Sequence, residues 1–336
     1  MLYASDSRER IRLWSPTIQC TFGLYDTSAN AKQKRVWKSV SVTHFSTAPQ
    51  HGSIKTDKRS CKSDQFTVIV DPAKPDTYTI ECKYDKDVQL SMEVSRLPGV
   101  PGWKLGTGPR GGMSYFGSLK PAATTASLDP DTGAGSEGYV VHRFWPRCDM
   151  KGVVRYGQEV LDLSGSKGVF IHAIQGMRAN LVASRWNFAD FQSHPSEKEG
   201  TSLIMMEFTT TASHGHSKVN VGSIVVDDKL VAVTLGGSEL PSGSKAEHQD
   251  MVFDKFTTYN SPGKILFSWT GPAINSASTN VSASLDLQLA KSGTAKEDYE
   301  TNGLIEKVDF LAQLPTIVKK VVNVATGAKP YICQVR

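Results

Sequence analysis

The sequence predicts an all-β protein of antiparallel sheets closing into barrels, arranged as two domains. Short runs that alternate apolar and polar residues recur along the chain with no helical pattern between them, which favours antiparallel sheets over βαβ units. The length of 336 residues exceeds what one core of ordinary size takes. Hydrophobic residues make up 39% and charged residues 21%, enough apolar material for real cores and too little charge for wholesale disorder.

The first alternating run is Thr17–Tyr25, followed by Phe66–Val70, Tyr78–Cys82 and Val88–Val94. DPAKPD supplies the turn between the second and third. From Leu97 to Gly138 the glycines and prolines forbid regular structure, and PAATTASLDPDTGAGSEG reads as an exposed linker. Strands resume at Tyr139–Trp145, Val169–Ile174, Leu203–Thr209 and Val219–Val226. DDK then makes a tight turn into Leu230–Leu235. Lys264–Trp269 and Val281–Leu289 alternate cleanly. One helix is predicted near the end. Pro315 opens it, Ile317, Val318, Val321, Val322 and Ala325 form its apolar stripe, and Gly327 stands where a terminating glycine belongs. Tyr331–Val335 closes the chain as a strand. Strands, one late amphipathic helix and a last strand are what a lipocalin-like barrel needs, the helix burying its stripe on the wall.

Charge is unevenly placed. Residues 1–150 hold 20 Lys and Arg against 15 Asp and Glu, so the whole excess of +5 sits in the first half. Between Lys32 and Lys62 eight basic residues face one acid, Asp57. That segment reads either as attraction to an anionic membrane surface or as solvated loops and strand edges that lysine keeps from pairing. No reading motif for nucleic acid accompanies it. No apolar run approaches the roughly 18 residues of a membrane span, and the first residues contain no signal-peptide core. Cys20, Cys61, Cys82, Cys148 and Cys333 are odd in number and scattered, which fits a reducing, cytoplasmic compartment and no disulfide scaffold.

Catalytic motifs do not emerge. His214 and His216 could face one way on a strand, yet no third metal ligand stands at a recognisable spacing. GTGPRGG lacks the Lys-Ser/Thr of a phosphate-binding loop. No GxSxG elbow is present and no cofactor is implied.

The richest segment is Phe144–Gln192, with FWPRC, IHAIQGM and SRWNFADFQS. Its Trp145, Arg147, His172, Gln175, Met177, Trp186, Asn187, Phe188 and Phe191 are the candidate ligand-binding residues. An amphipathic ligand needs this mix, apolar walls for area and a few polar groups for orientation. The same residues also suit a filled core in which Trp and Arg are hydrogen-bonded locally.

These words resemble the fungal survival-factor family, ceramide-binding proteins made of two lipocalin-like antiparallel β-barrel domains. The resemblance rests on FWPRC at Phe144–Cys148, FIHAIQGM at Phe170–Met177, SRWNFADFQS at Ser184–Ser193, MEFTTTASHGHSKVNVGSI at Met206–Ile224, and the tail Leu304–Gln334. The first half matches through CTFGLYD at Cys20–Asp26 and the region Ser95–Gly117. It implies an N-terminal domain over 1–147 and a C-terminal one over 148–336.

The resemblance further implies a non-enzymatic carrier that takes ceramide or a similar sphingolipid from the endoplasmic reticulum to the Golgi and supports survival under oxidative stress. Its expected place is the cytosol, with peripheral contact at those membranes. Family members begin with an amphipathic anchor helix and two further strands, whereas Arg8, Arg10 and Arg12 occupy the start of this chain. The first domain is therefore expected to be truncated and to exchange amide hydrogens faster than the second. The alternative is a lipocalin-like pericyclase that folds a hydrophobic polyene, for which proximity and orientation alone supply several kcal/mol.

Overall fold

A computed structural model describes residues 2–3, 19–25, 35–47, 57–105, 111–117, 135–177, 182–193, 200–240, 242–254, 259–288, 304–309 and 331–335. Among these the protein is all β apart from short turns of helix, and every pairing with a described register is antiparallel. One sheet curls into a half-barrel, the shape that the all-β, lipocalin-like expectation asks for. The chain divides into two compact units. The first takes Met1–Arg178, Phe191–Ser202 and Val225–Leu230; the second takes Ala179–Asp190, Leu203–Ile224 and Val231–Arg336.

The first unit holds a small sheet of β1 (Leu2–Tyr3), β2 (Gln19–Tyr25) and β3 (Arg35–Ser41). It also holds a nine-stranded sheet of β4 (Ser46–Thr47), β5 (Cys61–Lys62), β6 (Phe66–Ile69), β7 (Thr77–Lys83), β8 (Val88–Arg96), β9 (Met113–Phe116), β10 (Gly138–Tyr156), β11 (Glu159–Asp162) and β12 (Ser166–Gln175). β7 shows how sequence sets the face: Tyr78, Ile80 and Cys82 are buried while Thr79, Glu81 and Lys83 are exposed. The buried set packs with Phe66, Val68, Val94 and Cys148 into one core.

β10 is the hub. Its 19 residues pair with β8, β9, β11 and β12. The register on β12 shifts between Trp145 and Cys148, so Pro146 and Arg147 form a bulge. Proline has no N–H to give a ladder, and a bulge is where a strand tolerates it. Further along, Gly152 has φ +128°, and a Cβ there would stand 2.2 Å from the Ser91 carbonyl oxygen. No L side chain fits.

The second unit contains β13 (Arg185–Gln192), β14 (Ser202–Thr209), β15 (Lys218–Val226), β16 (Lys229–Gly237), β17 (Lys245–Gln249), β18 (Val252–Asp254), β19 (Tyr259–Ser261), β20 (Lys264–Ala273), β21 (Ser276–Gln288), β22 (Leu304–Asp309) and β23 (Tyr331–Val335), the first, second, third and fourth of these sharing residues with the first unit. The main sheet runs β13-β14-β15-β16-β20-β17, with β21 also on β20. β20 buries Ile265, Phe267 and Trp269 and turns the residues between them outward. β14 is buried from Ser202 to Phe208, which is why its sequence is a nearly continuous apolar run. The predicted helix at 315–327 and residues 121–134 of the predicted linker lie outside the described residues, while Gly138, at the linker's end, opens β10.

Candidate functional site

The inward face of the second unit is apolar with a polar island set into it. Leu203 and Met205 on β14, Ile224 on β15, and Ile265, Phe267 and Trp269 on β20 belong to one buried cluster. Glu207 follows Met205 by two residues, so the alternation of a strand aims it into the same face. It is 2% exposed.

A buried carboxylate is tolerable only if its oxygens are well supplied with donors. The Nδ2 of Asn187 donates to Glu207 Oε1 at 3.1 Å, and Lys218 Nζ stands 3.6 Å from the same oxygen. Oε2 accepts from Asn220 Nδ2 and from the Ala246 backbone N–H, both at 3.0 Å. The ordering propagates outward. Because the Asn187 nitrogen donates, its Oδ1 accepts from His248 Nε2 at 2.8 Å, which puts the imidazole proton on that nitrogen. Burial, and then the charge of Arg185, hold His248 below its ordinary pKa, against the pull of Glu207. It is neutral at pH 7.

Two polar atoms in this face are buried without a partner among the described residues, Asn220 Oδ1 and Thr234 Oγ1. Asn220 spends its nitrogen on Glu207, which leaves its acceptor free. Thr234 Oγ1 and the Trp269 indole nitrogen crowd the space beside Gly222, at 2.9 Å and 3.0 Å from where a Cβ would stand. The absence of a side chain on the glycine lets these groups and the Ile204 carbonyl close in on its backbone. The island thus sets an acceptor and a hydroxyl without described partners among packed apolar side chains.

The nine sequence-predicted residues fall into both units. Asn187 is in the island. Trp186 and Phe188 flank it on β13, with Trp186 tilted against Phe208 at 5.0 Å and Phe188 48% exposed. Phe191, in the first unit, is also exposed. Trp145 and His172 share one face of the β10–β12 pair, since Trp145 opposes Phe170 and His172 opposes Arg143. There Tyr78 stacks on Phe170 at 4.1 Å and meets Trp145 edge-on at 5.0 Å, with Arg59 over the Tyr78 ring at 5.6 Å. Gln175 opposes Val140 at the end of β12, and Met177 lies against Gly138.

Arg147 occupies a different setting, 1% exposed and engaged by protein at all three guanidinium nitrogens. Nε donates to Asp228 at 2.6 Å, NH1 to Gln192 Oε1 at 3.2 Å and the Thr201 carbonyl at 3.1 Å, and NH2 to Ser193 Oγ at 3.3 Å. Gln192 and Ser202 in turn donate to the Pro146 carbonyl at 3.0 Å and 2.7 Å. FWPRC therefore builds a clamp around its bulge.

Sequence reading missed Glu207, Asn220, Thr234 and His248. A signal for two of them was present: Glu207 interrupts the apolar run LIMMEF, and Asn220 interrupts VNVGSIVV, each in phase with buried neighbours. Elsewhere, a depression of about 160 Å³ on the outward face of β6–β8 is lined by Thr67, Ile69, Lys74, Thr79, Glu81 and Glu93, smaller than the roughly 300–1,000 Å³ of ordinary ligand pockets. Among the described residues no cluster of three or more His, Cys, Asp or Glu could hold a metal, and no helix is long and apolar enough to cross a membrane.

Comparison with known proteins gives consistent matches. The chain is 33% identical over 258 residues to the ceramide-binding protein svf1 of Aspergillus fumigatus, covering 77% of this chain and 54% of that one. The Emericella nidulans protein of the same name is 30% identical over 76% of this chain and 56% of its own length. The Schizosaccharomyces pombe one is 26% identical over 96% and 70%. The chain thus spans little more than half the length of the first two relatives. A solved Nitrosomonas europaea structure, that of an AttH candidate, superposes with a TM-score of 0.44 at 12% identity over 80% of this chain and 72% of its own, too loose a likeness to bear on function. The sequence profile of the Svf1 family matches residues 9–336, and the chain belongs to that family.

Proposed function

We propose that this protein binds ceramide or a closely similar sphingolipid without chemically altering it. Membership of a family whose curated relatives are named ceramide-binding proteins carries this reading. The inward face of the second unit is the candidate site for it. Each methylene removed from water contributes about 0.8 kcal/mol, so the hydrocarbon chains provide the affinity and Leu203, Met205, Ile224 and Phe267 the wall. The head is oriented by donation from the ceramide amide or hydroxyls to Asn220 Oδ1 and by exchange of a hydrogen bond with Thr234, two of the buried polar atoms left without a partner among the described residues.

The wider role that fits is carriage of ceramide from endoplasmic reticulum to Golgi through the cytosol, in support of survival under oxidative stress, with the basic Lys32–Lys62 segment touching anionic membranes. The pericyclase alternative draws no support from relatives that are named for binding. Mass spectrometry of lipids extracted from the purified full chain tests the reading. Ceramides should be enriched over phospholipids relative to a folded β protein prepared in the same host. An extract with the same lipid profile as that control would overturn it.

A further inference from the structure

Two thiols remote in sequence meet in the first unit. The Sγ atoms of Cys20 on β2 and Cys82 on β7 stand 3.6 Å apart, and the residues are only 1% and 4% exposed. The Tyr84 hydroxyl lies 3.1 Å from Cys20 Sγ. A disulfide needs about 2.05 Å between sulfurs, so side-chain adjustment of roughly 1.5 Å joins them. The other described cysteines differ. Cys61 is pushed up to about 11 by burial, and Cys148 faces the Trp145 carbonyl at 3.7 Å.

The pair sits where the small sheet meets the large one. Phe22 packs on Tyr84 at 5.6 Å, Lys38 pairs with Asp85, and Val40 joins the core around Cys20 and Cys82. These contacts hold the β1–β3 sheet against β7 by packing and one half-exposed ion pair.

We infer that Cys20 and Cys82 are a peroxide-oxidisable dithiol whose disulfide locks the β1–β3 sheet onto β7. The electronic setting agrees. Hydrogen bonding from Cys82, and secondarily from Tyr84, brings Cys20 down to about 7 despite burial, while Cys82 and Tyr84 are driven up. The Tyr84 hydroxyl beside Cys20 Sγ assigns Cys20 as the attacking thiol and Cys82 as the resolving one. The Cys20 sulfur attacks one oxygen of hydrogen peroxide, the O–O bond breaks, and the departing hydroxide takes the thiol proton as water. Cys82 sulfur then attacks the sulfenic sulfur, the S–O bond breaks, and the second hydroxide leaves as water with the Cys82 proton. Two thiols lose two electrons and two protons, and one peroxide becomes two waters. Burial restricts the reaction to small neutral oxidants of this kind. The inference is independent of the lipid reading.

The test uses the reduced full chain, treated with hydrogen peroxide, alkylated, digested and mapped by mass spectrometry without reduction. A crosslinked peptide joining Cys20 to Cys82 is expected, reversed by dithiothreitol, with Cys61 and Cys148 still alkylated. In Cys82→Ser the sulfenic acid on Cys20 has no resolving thiol, and its trapping by dimedone should rise several-fold. Crosslinks of Cys20 to Cys61 or Cys148, over-oxidised Cys20 beside an alkylated Cys82, or both thiols untouched by peroxide would each overturn the assignment. The wild-type map decides the matter even if the variant fails to fold.

Discussion

Arg147 Nε lies 2.6 Å from Asp228 Oδ1, tying the bulge of β10 to the two-residue turn between β15 and β16. Both turn residues, Asp227 and Asp228, have φ +52°, the left-handed conformation that a tight hairpin turn requires and glycine normally supplies. Asp228 is fitted closely: its backbone N–H donates to the Gly200 carbonyl at 2.9 Å, and a Cβ on Gly200 would stand 2.0 Å from its carboxylate. An aspartate at a glycine position makes sense because its side chain neutralises a buried guanidinium.

Arg147→Met is expected to lower unfolding stability by about 2 kcal/mol, because it leaves the acceptors on Gln192, Ser193 and Thr201 without their donor, while Asp228 is half exposed and keeps its hydration. Asp228→Gly isolates the trade-off. It relieves about 1 kcal/mol of left-handed strain and loses the larger ion-pair stabilisation, so it should still destabilise. Asp227→Gly carries no such loss and should be neutral to stabilising. Urea unfolding of the three variants checks this, and equal effects for the two glycine variants would contradict the role of Asp228.

Gly222→Ala should cost about 2 kcal/mol by overpacking, since its Cβ would stand 2.4 Å from the Ile204 carbonyl oxygen. An unchanged urea midpoint would show that the space beside Thr234 and Trp269 is not constrained.

Stability should fall as pH drops from about 6.5 towards 4. Burial lowers His142 to about 4, and burial with neighbouring positive charge lowers His172 and His248. The unfolded chain takes up these protons first, near the ordinary value of about 6.5. Their stabilisation is therefore complete above that pH and is lost as pH falls through each folded value. His142 alone accounts for about 3 kcal/mol at pH 4, by the shift between those two values. His142→Leu should flatten this slope, and a wild-type urea midpoint that is constant across the window would refute it. Asp57, Asp64 and Asp85, whose partners hold them below the usual carboxylate range, act only at lower pH.

Hydrogen exchange should separate the strands by burial. Amides of β14, buried along Ser202–Phe208, should exchange slowest, and those of β11, exposed at every residue, fastest. The β2–β3 hairpin should exchange faster than β14. Comparable protection in β11 and β14 would contradict the packing described.

Most strands were legible because alternation is local. Tyr78, Ile80 and Cys82, or Ile265, Phe267 and Trp269, announce a buried face within a few residues. β3 was missed because Lys38 and its basic neighbours read as a charged segment, and β17 because KAEHQ holds a single apolar residue. Arg147 reads equally as ligand contact or clamp until Gln192, Ser193, Thr201 and Asp228 are brought around it. The polar island was opaque for the same reason. Asn187, Glu207, Asn220 and His248 come from β13, β14, β15 and β17, and only pairing across the sheet makes them one site.

Photocrosslinking with a ceramide that carries a diazirine in its acyl chain tests the proposed site most directly. Label mapped by mass spectrometry on the full chain should fall on the inward residues of β14, β15 and β20, and should drop about tenfold in Asn220→Ala, an expected loss of about 1.4 kcal/mol in binding. Label confined to the Tyr78–Trp145–Phe170 face of the first unit, or label that excess unmodified ceramide does not compete away, would contradict it.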